Sequence, residues 1–195
     1  MSVWAVLAAA GRGERLDVDR PKAFAPLRGR PLLAEELGCG KVVASVAGGE
    51  TRAESVRIGV AEVDEAASVI LVHDAARPLL PDEVVERLLV ALNEGWDGAV
   101  PGLPVVDTVK RVQDGAVVET LSRSELVTVQ TPQAFVASVL RAAVNGGGEA
   151  TDCASLVEAR GGRVGVVPGD TRLLKVTTPE DLALVESWLS EGEPA

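Results

Sequence analysis

Short apolar runs rich in valine and isoleucine alternate along this chain with stretches of helical spacing, and few architectures accept that pattern. A strand covered on both faces reads as a continuous apolar run. Successive runs of that kind, separated by amphipathic helices, build a mostly parallel, twisted α/β sheet with helices on both faces. Strands are expected near Val3–Ala9, Lys41–Val46, Ser68–His73, Ala99–Pro101 and Arg163–Val167. Pro81-Asp82-Glu83 opens a helix that carries Val84, Val85, Leu88, Leu89 and Leu92 at three- and four-residue spacing and closes at Gly95. A second helix is expected over Gln133 to Ala143. A last one starts with Thr178 as N-cap and Pro179 at the first helical position, and turns Leu182, Leu184, Val185, Trp188 and Leu189 toward the core. Ser190–Ala195 reads as a polar, frayed tail.

One segment breaks the alternation. β-Branched residues flank Asp114-Gly115, and an Asp-Gly pair favours the tight turn of a two-residue hairpin. A lone hairpin is marginal in water, so this arm, at about 105–130, is expected to pack on a second subunit. The chain as a whole, residues 1–195, reads as one domain that carries the arm: 195 residues with 47% hydrophobic content suffice for one substantial core without a disulfide or metal staple. Cys39 and Cys153 lack the close spacing of a zinc site or redox pair, which favours a reducing cytoplasm. The opening apolar run is too short for a membrane span and lacks the basic stretch of a signal peptide.

A formal net charge of −10 argues against nucleic acid as a partner. Locally the balance reverses. Between Gly11 and Arg30 stand Arg12, Arg15, Arg20, Lys22, Arg28 and Arg30 against Glu14, Asp17 and Asp19, which draws a small polyanion unless the loop is merely solvated. In the same region the turn Ala8-Ala9-Ala10-Gly11-Arg12-Gly13 lets the backbone approach phosphate oxygens. It is only half of a dinucleotide fingerprint, since Leu16 replaces the third glycine and no Walker-type lysine follows. Gly48-Gly49-Glu50-Thr51-Arg52-Ala53-Glu54-Ser55 enters a helix where the glycines admit a flat base and Ser55 can read its edge; capping by Thr51 or Ser55 is the competing use. His73-Asp74-Ala75-Ala76-Arg77 ends a strongly apolar strand, where a carboxylate can hold Mg²⁺ or a ribose hydroxyl. His73 is the only histidine, which largely excludes multi-histidine metal sites and the Ser-His-Asp scheme and favours a bond to backbone. Asp107-Thr108, Arg123, Gln130-Thr131-Pro132-Gln133, Thr151-Asp152 and Leu174-Lys175 are polar insertions beside apolar segments, each also explicable as a cap or turn.

Taken in order, AAAGRGERL, PKAF, GGETRAESV, VHDAARP, DTVKR, VQTPQAF, TDCASLVE and LKVTTPEDL resemble the motifs of the 2-C-methyl-D-erythritol 4-phosphate cytidylyltransferase family of the non-mevalonate isoprenoid pathway. The resemblance implies a Rossmann-like nucleotidyltransferase fold, CTP and a sugar-alcohol phosphate as substrates, Mg²⁺ dependence, and a homodimer whose arms help build the active sites. It implies that Arg15 and Lys22 stabilise charge on the transferring α-phosphoryl group and that Arg123 and Lys175 position the acceptor phosphate. Ala8, Ala9, Ala10, Gly11, Gly13, Gly49, Glu50 and Ser55 would hold cytidine. Asp74 would meet the metal-nucleotide, and Arg77, Thr108, Thr131 and Thr151 the acceptor. Glu50 stands where many relatives carry the shorter aspartate.

Between Pro31-Leu32-Leu33 and Lys41-Val42-Val43 the resemblance implies a helix, a strand and a further helix, whereas this sequence has only Ala34 to Gly40. Either a strand–helix unit has been lost or an internal stretch of the full chain is absent from this sequence; the second is favoured, because losing an internal parallel strand exposes apolar surface and unpaired backbone groups. The motifs overlap with those of ribitol-phosphate cytidylyltransferases. Gly11-x-Gly13 alone also suggests a nicotinamide-dependent oxidoreductase, and a catalytically silent binding protein on the same fold is a third reading.

Overall fold

The computed structural model describes residues 1–9, 26–27, 30–31, 46–146 and 151–191. Its main sheet runs β1(Val3–Ala8), β4(Val69–Asp74), β9(Gln133–Val136), β5(Gly98–Pro104), β10(Val164–Pro168), with β8(Val127–Val129) paired to the far end of β5. β1 and β4 are parallel, as are β5 and β10, and β9 runs antiparallel between β4 and β5. Thus β1, β4, β5 and β10 all point one way. β2(Pro26–Leu27) pairs with β3(Arg30–Pro31) as a small separate ladder.

Alternate residues of the central strands feed two cores, as the two-residue period of a strand requires. On one face Ile70, Val72, Val100 and Phe135 pack against α1(Arg52–Ala61), α3(Ala137–Asn145) and α4(Cys153–Glu158). On the other, Val69, Leu71, Ala99 and Ala134 meet Val84, Leu88, Ala91 and Leu92 of α2(Asp82–Asn93). α5(Pro179–Glu191) buries Val185 beside Leu27 and Val176. Leu184 departs from the expectation for this helix: it lies on the outer side, 44% exposed.

The expected helix over Gln133 to Ala143 is a strand followed by a helix. Gln133–Val136 is β9, the middle strand of the sheet, and helix begins only at Ala137. The correction follows from burial: Gln133, Ala134 and Phe135 are each 1% exposed or less, all three pair with β4, and Ala134 and Phe135 pair with β5 on the other side. Helical spacing of Val136 and Leu140 continues without a break into α3, so periodicity alone ran the two elements together. The expected strand Lys41–Val46 lies outside the described residues except for Val46, which is not in a strand.

The Asp114-Gly115 hairpin forms as read, with φ of 50° and 81° at its two central residues, linking β6(Lys110–Gln113) to β7(Ala116–Thr120). Every residue of β7 and of β6 is exposed. At the other side of the molecule β1 pairs, among the described residues, with β4 alone, and Val3 in this apolar strand is 41% exposed.

Candidate active site

The register of β1 against β4 sets Ala8 beside Asp74, so the end of β1 and the carboxylate that ends β4 share one edge of the sheet. Gln133, at the start of the antiparallel β9, opens on the same edge next to Val72. Arg52, the first residue of α1, places Nε 3.1 Å and Nη2 3.0 Å from Asp74 Oδ1. Lys175 Nζ donates to the other oxygen at 2.7 Å. Burial pushes the Asp74 carboxyl up, but Arg52 and Lys175 outweigh it and hold the group below the usual carboxylate range, so it is ionised.

Arg77 adds a third cation. Its Nη1 donates to the Leu173 carbonyl, its Nε is buried without a hydrogen-bond partner, and burial pulls its pKa below the ordinary guanidinium value. Arg52 and Asp74 both act on it electrostatically. One carboxylate is therefore surrounded by Arg52, Lys175 and Arg77, a positive surplus at the carboxyl edge of the sheet in a chain that is strongly negative as a whole. Such a surplus, partly withdrawn from water, binds an anion.

Hydrogen bonds around this group fix the loops that carry it. His73 Nε2 donates to the Arg77 carbonyl at 3.0 Å, and because a carbonyl only accepts, the proton sits on Nε2 and Nδ1 is left to accept from the Thr131 hydroxyl at 3.2 Å. Thr131 Oγ1 in turn accepts from Asp74 N–H at 3.0 Å. Burial lowers the His73 pKa, in keeping with a neutral ring. The backbone-bonding role expected for this histidine is thus what the geometry gives. Thr131 is 5% exposed and spends its hydroxyl on the Asp74 turn.

On the opposite flank Gln133 is 1% exposed, takes Cys153 N–H on Oε1 at 3.2 Å and donates Nε2 to Asp152 Oδ2 at 2.8 Å. Asp152 caps α4 through Ser155 N–H at 3.0 Å, so β9 grips the helix start next to Thr151. Thr51 is the cap of α1, accepting Glu54 N–H at 3.1 Å. Ser55 accepts Gly49 N–H at 3.0 Å, which folds the Gly48-Gly49 loop back on the helix, and Glu50 N–H donates to Glu54 Oε2 at 2.9 Å.

A family model for 2-C-methyl-D-erythritol 4-phosphate cytidylyltransferase matches residues 34–191. The chain belongs to this family. A cytidylyltransferase of that name from Saccharopolyspora erythraea is 42% identical over 224 positions covering 97% of this chain and 100% of its own. One from Rhodococcus jostii is 42% identical over 218 positions, covering 97% and 96%. The solved structure of the Thermus thermophilus cytidylyltransferase superimposes with a TM-score of 0.77 at 31% identity, over 97% of this chain and 98% of that one. That from Francisella tularensis gives 0.81 at 27% identity, over 96% and 99%. The fold is thus the nucleotidyltransferase fold of the cytidylyltransferases. Both sequence alignments run over more positions than the 195 residues here, so these relatives carry residues with no counterpart in this sequence. The family match begins at residue 34, at the stretch that is shorter than the resemblance implies.

Of the residues the resemblance singles out, Ala10, Gly11, Gly13, Arg15 and Lys22 lie outside the described residues. Ala8, Asp74, Arg77, Thr131 and Lys175 come together; Ser55 on α1, Gly49 and Glu50 in the loop before it, and Thr151 just ahead of α4 flank them. Arg123 and Thr108 belong to the arm, where Arg123 donates to the Val106 carbonyl rather than joining the Asp74 group. Sequence reasoning missed the pairing of Arg52 with Asp74 and the bond from Gln133 to Asp152; it marked Gln133 and Asp152 only as polar insertions, and its reading of Thr151-Asp152 as a helix start is what the structure gives. A signal for Arg52 was present: a cation at the first position of a helix is opposed by the helix dipole, and its presence there calls for an anion nearby. Among the described residues no three His, Cys, Asp or Glu side chains converge as a metal site.

Proposed function

We propose that the protein joins CTP to 2-C-methyl-D-erythritol 4-phosphate, giving 4-diphosphocytidyl-2-C-methyl-D-erythritol and pyrophosphate. The observation that carries this reading is the surplus of cations around Asp74 beside the end of β1, in a chain of this family. An acceptor phosphate oxygen attacks the α-phosphorus of CTP, the new P–O bond forms, and the bond to the bridging oxygen of pyrophosphate breaks. A phosphate monoester is mostly dianionic at neutral pH, so no general base is required. What the protein contributes is positioning and charge stabilisation. Lys175 and Arg77 hold the acceptor, Gly49, Glu50 and Ser55 the cytidine, and Arg15 and Lys22 the transferring phosphoryl group.

Mg²⁺ belongs to this reading as a passenger of the nucleotide. A single ionised carboxylate at a strand end suits an ion held mostly by phosphates and water, and Asp74 is the residue that would hold it. When bound, the ion supplies Lewis-acid neutralisation of phosphoryl oxygens.

The exposed arm supports a homodimer. Val106, Val112, Val117 and Val118 are between 53% and 77% exposed, a cost that a hairpin of this size does not bear alone. Arg123 and Thr108 would then serve the partner's site. No helix among the described residues is long and apolar enough to cross a membrane, and the reading places the enzyme in the cytoplasm.

Pyrophosphate release from CTP and Mg²⁺, with methylerythritol phosphate and separately with ribitol 5-phosphate, tests the proposal. Release with the first acceptor at least tenfold faster supports it; equal or faster release with ribitol phosphate, or none with either, overturns it. Light scattering on the eluted protein tests the dimer, and a monomer at micromolar concentration refutes it.

A further inference from the structure

Arg52 and Lys175 both bind Asp74, but they are not equivalent. Arg52 grips one oxygen with two donors, Nε and Nη2, from the first turn of a helix, and its side chain is 28% exposed. Lys175 reaches the other oxygen with a single Nζ from a loop, and its side chain is 43% exposed. The carboxylate between them is 9% exposed and needs a counter-ion at all times. Arg52 is further tied by its Nη1, 3.8 Å from Cys153 Sγ at the start of α4, so its head cannot follow a ligand without releasing two elements. Lysine is a mobile point charge and can leave.

We propose that Arg52 is a positioning residue for the transfer: as the permanent counter-ion of Asp74 it frees Lys175 to move onto the acceptor phosphate. Without Arg52 the buried carboxylate keeps Lys175 as its remaining strong partner, and the acceptor meets a lysine already engaged. This rests on the proposed cytidylyl transfer, and it assigns Arg52 no contact with substrate.

The test is a double-mutant cycle on the full-length enzyme, read by steady-state kinetics and by calorimetric binding of CTP. Arg52→Gln is expected to raise KM for methylerythritol phosphate about thirtyfold while CTP affinity changes by less than about threefold. On an Asp74→Asn background, where Lys175 is no longer held and the proposed Mg²⁺ contact is lost from both members of the pair alike, the same substitution is expected to weaken acceptor binding by no more than about twofold, read as KM or, where turnover is too slow, as calorimetric affinity for methylerythritol phosphate. An Arg52→Gln effect of equal size on both backgrounds overturns the proposal, as does a folded Arg52→Gln enzyme with acceptor KM within twofold of the parent. If Arg52→Gln does not fold, Arg52→Lys takes its place, with a rise of about threefold that disappears on the Asp74→Asn background. Wild-type pyrophosphate release separates the two failures: its absence sinks the proposed reaction, whereas its presence with an uncoupled cycle sinks only the role of Arg52.

Discussion

Replacing Gln130 by leucine should loosen the loop that presents Lys175 without opening a cavity. Gln130 is 5% exposed, and its carboxamide closes a two-way pair with the Asp170 backbone: Nε2 donates to the carbonyl at 2.8 Å and Oε1 accepts the N–H at 3.0 Å. The pair bolts the β8–β9 corner to the segment that leads through Leu173 to Lys175. Leucine has nearly the same volume, so the loss is two hydrogen bonds of roughly 1 kcal/mol each, together with the cost of leaving two partly buried backbone groups poorly paired. A total of about 2–3 kcal/mol corresponds to a fall in Tm of about 5–10 °C for a chain of this size. Acceptor KM should rise several-fold with CTP affinity unchanged, because the slack reaches Lys175 rather than the nucleotide loops. Gly169 gives an independent approach to the same bolt, since a methyl there would stand 2.3 Å from Gln130 Oε1 and 3.1 Å from the Gly102 carbonyl. Gly169→Ala should therefore reproduce the phenotype, and the double variant should lose less than the sum of the two. Scanning calorimetry and acceptor kinetics decide it; a Gln130→Leu protein that melts within about 1 °C of the parent with unaltered KM refutes the reasoning.

Lys22→Ala should lower turnover by about a hundredfold or more, the scale of losing one transition-state donor, and near-normal turnover removes Lys22 from the mechanism. Burial raises the Asp181 carboxyl, but hydrogen bonds from the Thr177 hydroxyl and backbone and from Thr178 outweigh it, so its folded pKa lies below the ordinary value. Its contribution to stability is then complete above the unfolded pKa of about 4 and is lost as pH falls through the folded one. Asp181→Asn should cost about 1 kcal/mol in urea melts at pH 7, with the gap narrowing as pH falls below the unfolded carboxylate value; a gap independent of pH contradicts this. Gly115→Val forces a side chain to φ 81° at the tip of the arm, costs about 1–2 kcal/mol there, and should reduce the dimer fraction on size-exclusion chromatography without moving the main thermal transition.

The fold was legible where one physical demand ruled the local sequence. β4 needed only VILVHD buried on both faces, the hairpin only Asp114-Gly115, and α5 only Thr178-Pro179 at its head. Reading failed at β9, where a fully buried central strand passes directly into a helix and neither period has room to declare itself. The site was legible by motif, but the contacts that orient it were not, because they join residues far apart in sequence: Arg52 to Asp74, Lys175 to Asp74, Gln133 to Asp152. Only the dipole-opposed position of Arg52 announced a long-range partner, and even that names no residue.

The edge strand connects the sequence's short stretch to the site. β1 delivers Ala8 beside Asp74, yet among the described residues it is held by β4 alone and leaves Val3 exposed, where a strand of six apolar residues would ordinarily have a neighbour on each side. Relatives aligned over 224 and 218 positions carry residues absent from these 195, and the expected missing unit between Pro31 and Lys41 contains a strand. A chain with that unit restored by transplanting the corresponding residues of the Saccharopolyspora erythraea relative should gain protection from hydrogen exchange in the β1 amides, since a second ladder would close on them. The same chain should also bind CTP more tightly, because the turn after Ala8 leaves a strand fixed on both sides. Unchanged exchange in β1 would mean that its outer edge is already covered and that the shortened stretch costs the sheet nothing.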